Sequence, residues 1–284
     1  MGNITPQMIK ELRERSGVGM TKCKEALVES DGDMQKAIEF LRKKGLASAI
    51  KKEGRDTKEG TIGFSETENE IALLEVNTET DFVAKNEKFQ KFVKELSAQA
   101  AKSKPASLDA FLKENYDIDP SLTIEEYRNL LIQSIGENIQ IARVEIIKKE
   151  KNASYGIYSH MGGKILCVVE ISGSSDEQKI AKDIAMHVAA DSPEYLTPEQ
   201  IPADIRKKEE EIARSQVQGK PEFVIEKIIT GKLKAFEDSV CLVGQKFVKD
   251  PSITVQKFVE NREKEIDAKL KISCFWRWMI GSSK

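Results

Sequence analysis

The chain repeats itself once, and its two copies differ in length. Phe92-Val93-Lys94-Glu95-Leu96, followed by Ala101 and Pro105, recurs 88 positions later as Ile180-Ala181-Lys182-Asp183-Ile184, followed by Ala189 and Pro193. The strand-like pair Glu75-Val76 recurs 95 positions later as Glu170-Ile171. Strand and helix therefore lie 16 positions apart in the first copy (Val76 to Phe92) and nine in the second (Ile171 to Ile180). A duplicated unit limits the fold to two related halves. The extra length in the first copy matches the run Thr80-Asp81-Phe82-Val83-Ala84-Lys85-Asn86. One copy folds without it, so this insert is the leading candidate for a functional segment.

Periodicity assigns an α+β class. Thr61–Ser65 and Ile71–Val76 read as strands, and the segment from Asn86 to Lys102 carries apolar residues at 89, 92, 93, 96 and 100, one buried helical face. Thr123-x-x-Glu126 is a capping box opening a further helix. The β-branched run Ile139–Ile147 reads as the start of the second copy, followed by a strand from Gly156, a turn at His160–Gly163, a strand Ile165–Ile171 and a helix from about Asp176 to Ala190. Before the repeats, Thr5-Pro6, Gly17, Asp31-Gly32-Asp33 and Gly45 punctuate three short helices. Beyond them, two apolar stripes (Ile205, Ile212, Val217 and Ile225, Ile229, Leu233, Phe236) flank Gly219-Lys220-Pro221, as expected of an antiparallel helical hairpin. The expected organisation is a three-helix domain at 1–50, a linker at 51–60, one sheet-plus-helix subdomain at 61–138, a second at 139–197 with 238–284, and the hairpin inserted at 198–237. The last strand is expected around Phe275, Trp276 and Trp278.

Charge argues against one function class, while leaving room for a local basic patch. Lys plus Arg (45) nearly balance Asp plus Glu (47) in 284 residues, whereas phosphate-backbone binding as the main task needs a basic footprint. The four cysteines are far apart and two histidines form no ligand cluster, so neither zinc nor disulfides are expected, and no cofactor. No apolar run approaches the roughly 20 residues of a membrane span, and Met1–Pro6 lacks the features of a signal peptide, so the cytoplasm is the expected compartment. Gly17-Val18-Gly19 and Gly162-Gly163-Lys164-Ile165 both fail as phosphate loops: the first lacks a following Lys-Ser/Thr, and the second has Ile165 in the Ser/Thr position. No nucleophile stands with a base, so an enzyme is not expected.

Phe82 reads two ways from the residues alone. It precedes Phe89 by seven positions, which on a continuous helix places it in the buried stripe, while the insert argument favours display. Asp81 reads as a helix N-terminal carboxylate that a partner can also meet. His187 shares a face with Ile180, Ile184 and Val188 and reads as a core histidine.

Several segments in order carry a resemblance. Leu12 to Met20, Cys23-Lys24-Glu25-Ala26-Leu27, Thr80 to Asn86, Ile135-Gly136-Glu137-Asn138-Ile139, His160, Ala185 to Ala190, Gly219-Lys220-Pro221, Gly244 to Val248 and Asp250-Pro251-Ser252 are similar to the motifs of the elongation factor Ts family. The resemblance implies a ubiquitin-associated-like bundle at the amino terminus, a protruding coiled-coil hairpin, and guanine-nucleotide exchange on elongation factor Tu in a heterodimer. It implies that Thr80, Asp81, Phe82 and Val83 meet the partner near its magnesium, with Asp81 and Phe82 at a tip. It makes Arg13, Met20 and His160 further partner contacts. Long members of the family continue into another helix, and this sequence ends at Lys284. The competing class is an adaptor that binds another protein through its three-helix domain.

Overall fold

A computed structural model gives the fold, and residues 4–217 and 221–282 are described. The chain is α+β and divides into two units: Met1–Lys149 with Gly162–Lys164 and Met279–Lys284, and Glu150–Met161 with Ile165–Trp278.

The first unit runs α1 (Pro6–Ser16), α2 (Met20–Glu29), α3 (Met34–Lys52), β1 (Glu59–Glu66), β2 (Glu70–Thr78), α4 (Asp81–Ala84), α5 (Glu87–Ser103), α6 (Leu108–Lys113), β3 (Asn115–Tyr116), β4 (Asp119–Thr123), α7 (Ile124–Ile135) and β5 (Ile139–Lys148). Short-range chemistry sets the helix ends. Thr5 Oγ1 accepts the Met8 N–H at 3.2 Å, and Gly17 closes α1 at φ 65°. Thr123 and Glu126 form the expected reciprocal box at the start of α7. Gly45, in contrast, does not end α3, which continues to Lys52. A Cβ at position 45 would lie 3.3 Å from Leu130 Cδ2 and 3.4 Å from the Asn129 backbone, so this glycine lets α3 cross α7 closely. Leu12, Leu27 and Leu41 of the bundle share one core with Leu122 and Leu130.

The first sheet has the order β1-β2-β5, all antiparallel. Here the sequence expectation is corrected. The run 139–147 does not open the second copy; it completes the first sheet, with Ile141 opposite Val76 and Ile147 opposite Ile71. Ile139 and Ile141 join Ala72, Leu74 and Val76 in a core with Phe89, Phe92, Val93 and Leu96 of α5. A β-branched run states that it is a strand, not which neighbour it pairs with.

The second unit runs β6 (Ala153–His160), β7 (Ile165–Ser172), α8 (Gln178–Asp191), α9 (Ala203–Ser215), α10 (Glu222–Val240), β8 (Lys246–Phe247), β9 (Asp250–Thr254), α11 (Val255–Ile266) and β10 (Lys271–Met279). Its sheet order is β10-β7-β6. The duplication is longer than the 88-residue match reveals. Asp119-Pro120-Ser121-Leu122-Thr123 recurs 131 positions later as Asp250-Pro251-Ser252-Ile253-Thr254. In both, the aspartate accepts hydrogen bonds from the serine N–H and hydroxyl, and the threonine caps the next helix. β5 and β10 are thus equivalent closing strands. The helices α9 and α10 form the expected hairpin, tied by Arg206–Glu237 at 2.6 Å and by Lys232 on Gln216. Its expected turn at Gly219 and Lys220 falls outside the described residues.

His187 is fully buried, as its position on α8 predicts. Its Nδ1 accepts the Val248 N–H at 3.2 Å, which leaves Nε2–H to donate to Gln245 Oε1 at 3.0 Å. Asp191 lies 3.5 Å from Nδ1 and favours the charged ring, but burial outweighs it and pushes the histidine below its ordinary value of 6.5. The folded ring therefore binds fewer protons than the unfolded one. Its contribution to stability is complete above pH 6.5 and is lost as pH falls through its depressed folded value. Thermal melts between pH 7.5 and 5 are expected to show a falling midpoint for the native chain and a flatter profile for His187→Asn; equal slopes contradict the assignment.

Candidate functional site

The insert in the first copy forms α4, a single helical turn with no counterpart between β7 and α8. Four residues cannot hold a helix by their own hydrogen bonds, because nucleation is unfavourable. Neighbouring groups fix this one at both ends. Thr80 is its N-cap and accepts the Val83 N–H at 3.3 Å. Asn86 N–H donates to Val83 O at 2.9 Å, and the Asn86 side chain caps α5 by accepting the Lys88 N–H at 2.9 Å. Ala84 is buried, and Val83 packs against the core of the first unit.

With 83 and 84 turned inward, 82 must turn outward. Phe82 is 82% exposed, the most exposed of the large apolar side chains among the described residues. The core reading of Phe82 needed one continuous helix through Phe89; the break between α4 and α5 at Asn86 removes that register. Asp81, half-exposed, pairs with Lys85 Nζ at 2.7 Å, one turn along. That hydrogen bond holds the Asp81 carboxyl below the usual carboxylate range. An exposed pair of this kind is easily exchanged for another partner. The site therefore presents an aromatic ring beside an ionised carboxylate on a small, externally braced turn.

The other expected contacts lie elsewhere. Arg13 is exposed on α1, and Met20, 52% exposed, begins α2. The turn between them is braced in the same unit: Gly17 O accepts from Lys88 Nζ at 3.0 Å and Ser134 Oγ at 2.9 Å. Lys88 follows Asn86 closely, so the α1–α2 turn and the start of α5 are neighbours. His160 belongs to the second unit. It is the last residue of β6, opposite Ile165, rather than part of the turn. Its Nδ1 is 3.1 Å from Tyr158 OH, and both line a shallow hollow of about 280 Å³ with Met186, Ala189, Val248 and Lys249.

In the sequence, Glu137 and Asn138 stand only within a segment similar to the family's motifs, and no task for them is legible there. Both anchor the approach to α4. Glu137 accepts from Thr78 Oγ1, Thr80 N and Thr80 Oγ1, and Asn138 N–H donates to Glu79 Oε1 at 2.6 Å. The available signal was an acid directly after the Gly136 helix stop.

Among the described residues there is no group of three or more His, Cys, Asp or Glu side chains placed to hold a metal ion, and no helix is long and apolar enough to cross a membrane. Cys23, Cys167 and Cys241 are buried thiols in no disulfide.

The family model described as Elongation factor TS matches residues 79–282, a span that begins at the approach to α4. The chain is 53% identical over 281 residues to Elongation factor Ts of Protochlamydia amoebophila, covering 99% of this chain and all of that one. It is 45% and 46% identical over 282 residues to the proteins of that name from Chlamydia muridarum and Chlamydia caviae, again covering 99% of this chain and all of each relative. On this family match and full-length similarity, the chain belongs to the elongation factor Ts family.

Proposed function

We propose that this chain is a non-enzymatic guanine-nucleotide exchange factor that binds elongation factor Tu carrying GDP, speeds GDP release and leaves the GTPase open to GTP. The exposed ring of Phe82 next to Asp81 carries the reading.

The task is demanding. A nanomolar nucleotide is held by about 12 kcal/mol. A protein lowers that hold only by binding a nucleotide-poor conformation of the GTPase better than the loaded one, and the coupling is reciprocal. The diphosphate is held by backbone donors and a magnesium ion, so those are the points to disturb. In this reading Phe82 wedges between helices of the partner while Asp81, released from Lys85, perturbs the shell around the magnesium. Thr80 and Val83 shape the turn that carries them. Arg13 and Met20 dock the amino-terminal helices, and His160 adds a contact from the second unit. The complex is a heterodimer in the cytoplasm.

Reciprocity supplies the test. Titration calorimetry with nucleotide-free and GDP-loaded elongation factor Tu is expected to give tighter binding to the empty form, by the same factor by which the chain weakens GDP. Equal affinity for both forms would leave only an adaptor. Replacing both Arg13 and Met20 by alanine is expected to raise the half-saturating concentration severalfold and to leave the saturated release rate within twofold of native. Point changes serve better here than removal of residues 1–50, because Leu122 and Leu130 lose their packing partners on truncation.

A further inference from the structure

We propose that Glu137 is a positioning residue for exchange, a carboxylate that fixes the direction in which α4 carries Phe82. The inference rests on the wedge reading above and adds a residue to it.

Three donors converge on this one side chain. Thr78 Oγ1 and Thr80 N–H reach Oε2, each at 3.0 Å, and Thr80 Oγ1–H reaches Oε1 at 2.7 Å. Thr80 Oγ1 is also the acceptor that caps α4 through Val83 N–H. One hydroxyl thus links the carboxylate to the helix start. The residue between the two threonines is held as well. Glu79 accepts from Asn138 N–H at 2.6 Å and pairs with Arg55 at 3.2 Å, while Asn138 Nδ2 donates to Glu53 O and Arg55 O. The strand end leading to α4 is therefore clamped by two consecutive residues. A one-turn helix has too little internal bonding to set its own orientation, so its direction is set by these anchors together with the inward packing of Val83 and Ala84.

The duplicated unit provides an internal control. α7 and α11 align 131 positions apart through the Asp-Pro-Ser-x-Thr segment, and both end on a left-handed residue, Gly136 at φ 98° and Asp267 at φ 51°. Glu137 then corresponds to Ala268. The copy that carries α4 has the carboxylate, and the copy that lacks α4 has a methyl group. Nothing in the shared sheet-and-helix architecture requires an acid at this position.

The test is mant-GDP release from elongation factor Tu over a range of concentrations of E137A, E137Q, F82A and the F82A/E137A double variant, with hydrogen exchange of residues 79–86 measured alongside. E137A is expected to lower the saturated rate about tenfold while the half-saturating concentration moves less than about threefold, since misplacing a group that acts only within the bound complex costs rate more than binding. E137Q keeps one acceptor oxygen and is expected to fall between E137A and native. Amide exchange in 79–86 should quicken in both. In the F82A background, E137A should add less than about twofold, because the two changes act on one element. Should E137A fold poorly, E137Q carries the same comparison, with a loss of about threefold. An unchanged saturated rate in E137A and E137Q alongside a slow F82A overturns this inference alone. The same fold-loss with and without Phe82 also overturns it, since Glu137 would then act on stability in general. A normal rate for F82A overturns the wedge reading beneath it.

Discussion

Phe82→Ala is expected to slow saturated GDP release about thirtyfold and to leave the unfolding temperature where it is in the native chain. Both halves follow from one observation, the 82% exposure of the ring. A side chain that contributes nothing to its own core is removed at little cost to the fold, within about 0.5 kcal/mol for such surface changes. At the centre of a partner interface, an aromatic anchor contributes about 2 kcal/mol or more. At about 1.4 kcal/mol per tenfold, that is a factor of roughly thirty. Phe82→Leu should retain part of the rate, because it keeps apolar volume without the flat ring. Stopped-flow release with mant-GDP checks the rate, and calorimetry checks the midpoint. A thirtyfold loss accompanied by a large fall in midpoint would point to misfolding instead of a lost wedge.

Gly156→Ala should be the most damaging methyl group that can be added to either sheet. A Cβ there would lie 2.0 Å from Lys182 N and 2.1 Å from Ala181 C, both backbone atoms of α8. Backbone cannot step aside without moving the helix off the sheet. Gly63 is its equivalent in the first copy, facing Val93, which matches Ala181 at the 88-residue offset. There the nearest atoms are Ser97 Oγ at 2.4 Å and Val93 Cγ1 at 2.5 Å, both side-chain atoms that can turn. Overpacking of this sort costs about 1–3 kcal/mol where side chains adjust, and more where they cannot. Urea unfolding is expected to show Gly63→Ala losing about 2 kcal/mol, within that range, and Gly156→Ala losing more than 3 or failing to fold. The reverse order would contradict the packing.

What the sequence discloses and what it hides follow physical lines. Local chemistry was legible: Thr5, Gly17, Asp33 and Thr123 end or begin helices through bonds to atoms within a few residues. The 3.6-residue stripe of α5 and the buried place of His187 were legible for the same reason. Gly45 misled because a glycine stops a helix or admits a neighbour with equal ease, and only the crossing helix α7 distinguishes the two. The sheet to which β5 belongs is not legible in its own residues, because pairing is set at long range, by the register of Ile141 on Val76. At the site, the insert pointed to α4, but periodicity placed Phe82 inward; the cap at Asn86 decided the matter by breaking the helix. Glu137 stayed hidden because its three donors lie 57 and 59 positions away in sequence.

The central claim is that this chain weakens the grip of a G protein on GDP. It is tested most directly by mixing mant-GDP-loaded elongation factor Tu with excess unlabelled nucleotide, with and without the native chain, and following the fluorescence decay. The account predicts a release rate that climbs with concentration of the chain to a plateau orders of magnitude above the spontaneous rate. A rate independent of added chain, at concentrations where the two proteins co-elute as a stable complex, would contradict it.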